Sequence, residues 1–202
     1  MFDHLNVLLF SLINADAGLA GWRLSAAVLA AEWVIMLMPA GLVLLWIRGS
    51  AREREAAVRA LLTAVCALTL SMLIGMLWPH PRPFVAAVGH TFMQHAADSS
   101  FPSDHATSMF SVALALVLSR ARGAHQFGAV LLPLSVLVAW SRVYLGVHWP
   151  LDMVGAFVVS GAMAVLLSRP VAVTGCALLV ARMEAVYRRV LAAPIARGWL
   201  RP

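Results

Sequence analysis

The chain has no lysine and little charge of any kind. All fifteen basic residues are arginines, and only 12% of the 202 residues are charged. The missing lysine excludes mechanisms that depend on a lysine amine, such as a Schiff base or a Walker-type phosphate loop. The low charge excludes a water-soluble domain, because such domains carry about 25% charged residues. With 62% hydrophobic residues, the chain is predicted to fold in a lipid bilayer.

Cysteine is scarce as well, and no internal repeat, low-complexity tract or domain boundary is visible. Cys66 and Cys176 both lie in apolar stretches, which predicts two buried thiols and neither a disulfide nor a metal site. We therefore predict one integral-membrane domain over residues 1–202.

Apolar runs predict an all-α, polytopic membrane bundle with five or six transmembrane helices. Five of the runs are candidate crossings, and they cover residues 24–47, 60–78, 104–119, 127–143 and 151–167. A sixth run, 171–181, has only eleven residues and is predicted to be an interfacial or packed segment.

The first sixteen residues lack the basic region that starts a signal peptide. Their apolar residues instead share one helical face, which predicts an amphipathic helix lying on the outer leaflet. These residues are Phe2, Leu5, Leu8, Leu9, Leu12 and Ile13.

The arginines predict the orientation of the bundle. Twelve of them fall on one side of the membrane, which is the cytoplasmic side by the positive-inside rule. They are Arg48, Arg52, Arg54, Arg59, Arg120, Arg122, Arg169, Arg182, Arg188, Arg189, Arg197 and Arg201. The N-terminus and the segments 79–103 and 144–150 then lie outside. Topology accounts for most of the net charge of +6, so no nucleic-acid partner is predicted.

Six of the seven histidines lie between residues 80 and 148, and all of these except His125 are in segments that the topology brings to the outer face. The same segments carry Arg82 and Arg142, whose planar guanidinium groups match phosphate oxygens. Ser103 opens the third predicted span, where free backbone N–H groups also favour an anion. The pattern predicts a phosphate-binding site.

The spacing of His148 and Asp152 is typical of an oriented nucleophile. If a helix begins at Pro150, Asp152 can hold one imidazole nitrogen of His148 and leave the other free to attack phosphorus. His105 is then placed to protonate the leaving oxygen.

Together these residues resemble the three-part signature of the type 2 phosphatidic acid phosphatases. The matching parts are Arg82-Pro83, Pro102-Ser103-x-His105 and Ser141-Arg142-x5-His148-x3-Asp152. The longer pattern, which includes His95 and Asp98, resembles the bacitracin-resistance branch, the undecaprenyl-diphosphate phosphatases of the bacterial inner membrane.

The resemblance implies a catalytic core at residues 60–168 and a phosphohistidine intermediate on His148. It assigns Asp152 to polarise His148, His105 to act as general acid, and three residues to bind the phosphoryl group: Arg82, Ser103 and Arg142. The implied reaction converts undecaprenyl diphosphate to undecaprenyl phosphate and inorganic phosphate at the periplasmic face. It recycles the lipid carrier of peptidoglycan synthesis, with no cofactor and with membrane lipids and the polyprenyl diphosphate as partners.

Two other functions remain open at this stage. One is the same chemistry on phosphatidylglycerophosphate, phosphatidate or a lipid A phosphate. The other belongs to a different class, a transporter or proton path through the bundle. The ionisable residues cluster at one face, apart from Glu32, and this placement favours the hydrolase.

Two positions depart from the family pattern. The signature begins with a lysine where this chain has Gly75, so one phosphate contact is missing. Asp104 replaces the usual glycine before His105. We expect Asp104 to suit the N-terminal end of its helix, to keep His105 protonated and to point aside from the phosphate.

The remaining polar residues have structural interpretations beside the functional ones. His80, His90 and His95 are interpreted as polar loop residues rather than direct catalysts, and Asp98 as a loop brace. A zinc site from His95, Asp98, His105 and His148 is disfavoured, because the nearby arginines would repel a cation. Glu32, buried in the first span, is predicted either to hydrogen-bond a neighbouring helix or to pair with a site arginine.

Overall fold

A computed structural model describes residues 2–198 and residue 200, and this part of the chain is helical without strands. The α-helices are α1 Phe2–Ile13, α2 Gly21–Glu32, α3 Leu37–Arg48, α4 Ala51–Leu77, α5 Asp104–Val117, α6 Arg122–Tyr144, α7 Pro150–Leu167, α8 Pro170–Val190 and α9 Ala192–Ala196. The predicted all-α membrane bundle is confirmed. In the described residues, five helical segments are long and apolar enough to cross a membrane: Gly21–Arg48, Ala51–Leu77, Arg122–Tyr144, Pro150–Leu167 and Pro170–Val190.

The first span is one helical segment with a break in the middle. A short 3-10 turn at Val34–Met36 joins α2 to α3. Pro39 lies in the first turn of α3 and has no N–H, so the carbonyl of Ile35 loses its α-helical donor. The break lies directly after Glu32, which ends α2.

The helix of the second span begins well before the predicted residue 60. Ser50 and Glu53 form a capping box at the start of α4, which satisfies backbone N–H groups that would otherwise lack partners. The added turns carry Arg54, whose side chain is buried and forms an ion pair with Glu184. Hydropathy missed these turns because they contain five charged residues.

The helix α5 is shorter than a bilayer crossing. Its 14 residues cover about 21 Å at 1.5 Å per residue. It packs against α4, α6 and α7, and nearly all of its residues from Ala106 to Leu116 are buried. The span predicted at 104–119 is therefore the buried centre of the bundle.

The sixth apolar run belongs to a longer helix than predicted. The helix α8 has 21 residues, because it continues through its charged residues to Val190, and it is long and apolar enough to cross a membrane. Its contacts nevertheless lie at one end of the bundle. Glu184 pairs with Arg54, and the Tyr187 ring packs 5.9 Å from the Trp46 ring.

The N-terminal helix has the character of a surface helix. Leu5, Leu8 and Leu12 are exposed, as expected for side chains that face lipid. The buried anchor is Phe10, whose ring lies 5.1 Å from that of Trp149. The side chain of Phe2, and Arg201 at the other terminus, lie outside the described residues.

The cysteines differ from the prediction in one respect. Both are free thiols, and Cys176 is buried, but Cys66 is exposed. Cys66 lies on α4, whose outer surface also exposes Val65, Met72 and Leu73. The apolar run around Cys66 faces away from the bundle, as expected for a helix in contact with lipid, so apolar neighbours did not imply burial.

Candidate active site

The three polar segments lie together at one end of the bundle. Here α4 ends and α5 and α7 begin, and we call this the histidine end, for His105 and His148. Loop 79–103 is held against the α6–α7 connection by backbone bonds such as Phe92 N–H to Leu145 O, 3.0 Å. Gly146 makes this approach possible: its φ is +80°, and a Cβ there would lie 2.0 Å from the carbonyl oxygen of His90.

His148 lies in the loop before α7 and is buried, with 2% of its surface exposed. Its Nδ1 lies 3.2 Å from the Asp152 carboxylate. Its Nε2 lies 3.0 Å from Nη1 of Arg82. With the proton on Nδ1, the lone pair of Nε2 accepts a bond from the arginine, and the same lone pair is the nucleophile that a phosphate bound there would meet.

The environment keeps His148 neutral. Burial, helped by the positive charges of Arg82 and Arg142, lowers the pKa of His148 to about 4 despite the opposing hydrogen bond with Asp152. A neutral imidazole at pH 7 is the form that can attack phosphorus.

Asp152 is held by more than His148. It occupies the first turn of α7, where it accepts the backbone N–H of Trp149 at 2.8 Å. It also accepts a short hydrogen bond from the hydroxyl of Ser100. Ser100 is fully buried, and its carbonyl oxygen lies 3.1 Å from Nδ1 of His148. Sequence reasoning missed Ser100, because nothing along the chain links residue 100 to residue 152.

Several hydrogen bonds fix the side chain of Arg82. Its Nε donates to Asp98 at 2.8 Å and its Nη1 donates to the carbonyl of Val147 at 3.0 Å. Pro83 follows in the buried turn that starts at Arg82. This arrangement orients one edge of the guanidinium group toward His148.

Arg142 and Ser103 have buried donor atoms that find no partner. Within the described residues, no hydrogen-bond acceptor reaches Nε or Nη2 of Arg142, the hydroxyl of Ser103 or the hydroxyl of Thr107. Arg142 is 2% exposed and Ser103 and Thr107 are fully buried. Buried donors without acceptors cost free energy, so an anion bound among them would be stabilised. Thr107, one helical turn after Ser103, is a further residue that sequence reasoning missed.

His105 lies in the first turn of α5 and is half-buried. Burial, helped by the charges of Arg142 and His148, lowers the pKa of His105 to about 4, so the expectation that Asp104 keeps it protonated is wrong. The negative charge of a phosphate bound beside His105 would favour its protonated form. Its neighbour Asp104 is exposed and interacts with the Ser71 hydroxyl on α4. The carboxylate therefore lies beside α4.

Asp98 and His95 lie on the loop above Arg82. Asp98 is 60% exposed, and although burial opposes it, the hydrogen bond and charge of Arg82 lower the pKa of Asp98. The His95 ring centre lies 6.0 Å from that of His148. Burial and the charge of Arg82 lower the pKa of His95, which makes it a neutral group at the mouth of the site.

Two other predicted positions have different surroundings. The Ser141 hydroxyl donates to the Leu137 carbonyl of its own helix. Glu32 is exposed, which corrects the expectation of burial, because it ends α2 at the break in the first span. The charge of Glu32 acts on Arg142, although among the described residues no ion pair within 4.0 Å joins them.

Gly75 occupies the position of the family lysine. A Cβ at Gly75 would lie 3.3 Å from the carbonyl oxygen of Phe101 and 3.4 Å from the Ser99 side chain. The glycine lets the end of α4 pack closely against the loop that carries Ser100. Within residues 2–198 and 200, no group of three or more His, Cys, Asp or Glu side chains could hold a metal ion.

A membrane helix bundle with a histidine–carboxylate pair beside unpartnered phosphate-binding donors has the features of an integral-membrane phosphatase. Residues 56–176 match the PAP2 superfamily, and the chain belongs to this superfamily. The membership predicted from the motifs is confirmed, and the chain is a phosphatase of the PAP2 type.

Two named proteins are similar in sequence to this chain. The protein YbjG of Escherichia coli (strain K12) is 40% identical over 201 residues, which cover all of both chains. Undecaprenyl-diphosphatase BcrC of Bacillus subtilis (strain 168) is 33% identical over 136 residues, which are 67% of this chain and 68% of BcrC.

Two solved structures share the fold. LpxE of Aquifex aeolicus superposes with a TM-score of 0.60 at 24% identity, covering 80% of this chain and 93% of LpxE. A transmembrane PAP2-type phosphatidylglycerolphosphate phosphatase from Bacillus subtilis superposes with a TM-score of 0.58 at 18% identity, covering 82% and 84% of the two chains.

Proposed function

We propose that this phosphatase hydrolyses undecaprenyl diphosphate to undecaprenyl phosphate and inorganic phosphate. The name of BcrC supports this substrate, because BcrC shares 33% identity with this chain. The observation that carries the phosphatase chemistry is the set of buried donors without acceptors: the Ser103 hydroxyl and two nitrogens of Arg142. A bound phosphate would give these atoms the acceptors that they lack, and they lie at the end of the bundle where His148 is held.

The first step is attack of Nε2 of His148 on the terminal phosphorus. The P–N bond forms as the bond from phosphorus to the bridging oxygen breaks, and His105 gives its proton to that oxygen. Asp152 keeps the proton of Nδ1 in place, so the imidazole keeps the required tautomer and its new positive charge is stabilised. Arg142 and Ser103 hold the phosphoryl oxygens in both ground and transition states.

The second step removes the phosphoryl group from His148. His105, now neutral, takes a proton from water as the water oxygen attacks phosphorus, and the P–N bond breaks to release inorganic phosphate. Arg82 has a distinct role in this cycle. Its Nη1 donates to the Nε2 lone pair of His148, and this hydrogen bond moves to the phosphate when substrate binds.

The orientation is part of the proposal. Twelve arginines on one side predict that the histidine end faces the periplasm across the bacterial inner membrane. A diphosphate lipid released outside would then reach the site without crossing the bilayer, and its hydrolysis would return the carrier to peptidoglycan synthesis.

The test is phosphate release by the purified chain in detergent with a chelator present. We expect turnover of undecaprenyl diphosphate above that of phosphatidylglycerophosphate and phosphatidate, and no turnover by His148→Ala. The matched control is His125→Ala, because His125 lies at the other end of the bundle beside the Val117 carbonyl. An active His148→Ala variant would exclude the phosphohistidine mechanism, whereas preference for another lipid would exclude only the substrate. Right-side-out and inside-out vesicles test the orientation, and only the former should hydrolyse added diphosphate.

A further inference from the structure

The end of the bundle opposite His148 contains a second polar cavity. We call it the arginine pocket, and its volume is about 590 Å³. It lies between the start of α4, the α5–α6 connection and the α7–α8 connection. Its lining residues are Arg52, Glu55, Ala56, Arg59, Leu118, Ser119, Arg120, Ala121, Ser168, Pro170 and Val173. The helix α7 separates it from His148 by about 27 Å, or 18 residues at 1.5 Å each.

The charge of the arginine pocket is unbalanced. Three arginines face one glutamate, Glu55. Arg52, Glu55 and Arg59 follow one another at helical spacing, so α4 presents them on a single face. Within the described residues, no hydrogen bond or ion pair holds the side chain of Arg52, Arg59 or Arg120. Arg54, between them in sequence, is by contrast buried and paired with Glu184.

The other groups of the pocket also suit an anion. The Ser119 hydroxyl accepts the Ala121 N–H at 3.1 Å, which leaves its own proton to donate. The helix α8 begins at the pocket wall without a side-chain cap, so its N-terminal end adds partial positive charge. The start of α6 does not contribute in this way, because the Glu53 carboxylate accepts the Gly123 N–H at 3.1 Å.

The shape of the pocket favours a headgroup over a single small ion. A volume of 590 Å³ is in the range of sites for small organic molecules. Leu118 and Val173 line it, and Leu118 is 47% exposed, so an acyl chain could leave the pocket along an apolar surface. Val171, next to the rim, is 86% exposed and continues this surface.

We propose that the arginine pocket binds the phosphate-bearing headgroup of an anionic membrane lipid. Guanidinium groups bind phosphate oxygens in pairs of parallel hydrogen bonds, and basic pockets between membrane helices are suited to such headgroups. This site is separate from the phosphatase site and does not depend on the proposed substrate.

The experiment measures lipid binding to the full chain, purified in detergent and stripped of lipid. Short-chain phosphatidylglycerol, phosphatidylcholine or inorganic phosphate is added, and bound lipid is counted by native mass spectrometry. The pocket variant is R52Q/R59Q/R120Q. The control variant is R48Q/R182Q/R189Q, which removes the same charge from the same end of the bundle without touching the pocket lining. Both variants keep Arg82 and Arg142, so lipid bound at the phosphatase site contributes equally.

We expect the pocket variant to bind phosphatidylglycerol at least about tenfold more weakly than the wild type, because each arginine near a lipid phosphate contributes about a fivefold factor. The control variant should stay within about twofold. R120Q alone, in the exposed connection where folding is not at risk, should lose about fivefold. Equal loss in the two triple variants, or equal binding of phosphatidylcholine, would overturn the proposal. Binding of inorganic phosphate without phosphatidylglycerol would overturn the lipid assignment and leave a free phosphate as the ligand.

Discussion

The two ends of this bundle use arginine in opposite ways. At the histidine end, Arg82 and Arg142 are 3% and 2% exposed, and loops and helices hold them in place around His148. At the opposite end, which contains the arginine pocket and which we call the arginine end, Arg52 and Arg120 are exposed. The number of arginines at this end matters more than the exact placement of each one. Burial makes the difference: a guanidinium group out of water acts strongly on one bound anion, whereas an exposed one adds to a general potential that salt screens. Predictions that separate these two uses test whether the comparison holds.

The largest effect is expected from Asp152→Asn. The amide preserves shape but removes the charge that holds the His148 tautomer, so we expect kcat to fall by about 10²–10⁴-fold. Asp98→Asn is the matched control, because Asp98 is 60% exposed and its carboxylate accepts from Nε of Arg82 and not from His148. Its kcat should fall less than about tenfold. Similar losses in both variants would show that the His148–Asp152 pair has no special role.

Arg142→Gln is expected to lower kcat/KM by about 10²–10³-fold, because it removes donors aimed at the phosphoryl oxygens. Arg48→Gln, at the arginine end, should leave kcat/KM within about twofold. Steady-state kinetics on one lipid phosphate in one detergent measures both. A small loss in Arg142→Gln would contradict the assignment of its unpartnered nitrogens to the substrate.

Ser100→Ala is expected to lower kcat by about tenfold, since Asp152 loses the hydroxyl that positions it. Ser141→Ala is the control, because the Ser141 hydroxyl bonds its own helix at the Leu137 carbonyl. It should keep wild-type kcat. If Ser100→Thr, which retains a hydroxyl, recovers activity, the loss is due to the hydrogen bond and not to the packing.

The pH dependence should show the lowered pKa of His148. Attack requires the neutral imidazole, which exists above a pKa of about 4, so kcat/KM should stay high in mild acid and fall only as the pH drops through about 4. The ordinary histidine value is about 6.5. Two substrates with different phosphate pKa values separate enzyme from substrate ionisation. If the acid limb of the profile lay near pH 6.5 with both substrates, His148 would have the pKa of a solvent-exposed histidine, and its burial would be contradicted.

The last prediction concerns stability at the arginine end. Glu184→Gln removes the carboxylate that pairs with the buried Arg54 at 3.1 Å, and we expect the free energy of unfolding to fall by about 3 kcal/mol with kcat unchanged. Arg188→Gln, which removes the exposed partner of Glu184, should cost less than about 1 kcal/mol. Thermal unfolding in detergent measures both. Equal losses would mean that burial of Arg54 does not strengthen its pair.

Much of the fold was predictable because the bilayer imposes simple rules on sequence. A span needs a continuous apolar run, so the residue ranges of four predicted spans overlap the helices Gly21–Arg48, Ala51–Leu77, Arg122–Tyr144 and Pro150–Leu167. The rules fail where helices touch helices. The early start of α4 depends on a capping box and on a partner for Arg54, and the length of α8 depends on Glu184 reaching that same arginine.

The candidate site also has a part that local sequence predicts and a part that depends on contacts between distant segments. His148 and Asp152 are four residues apart, and helical spacing alone places their side chains together. Ser100 escaped notice because its role depends on a contact with Asp152, about 50 positions away. Thr107 escaped notice because only the packing of the helices shows that its buried hydroxyl lacks a partner.

By itself, the sequence determined that this chain is a membrane helix bundle with phosphate chemistry gathered at one face. Hydropathy, arginine placement and short motifs are local properties, and they need no knowledge of packing. Only the tertiary structure decided which donors at the site lack partners, that Arg54 pairs with Glu184, and that the start of α4 and two connections enclose a second basic pocket. Those features depend on distances between segments that are far apart in the chain, and helix packing sets these distances.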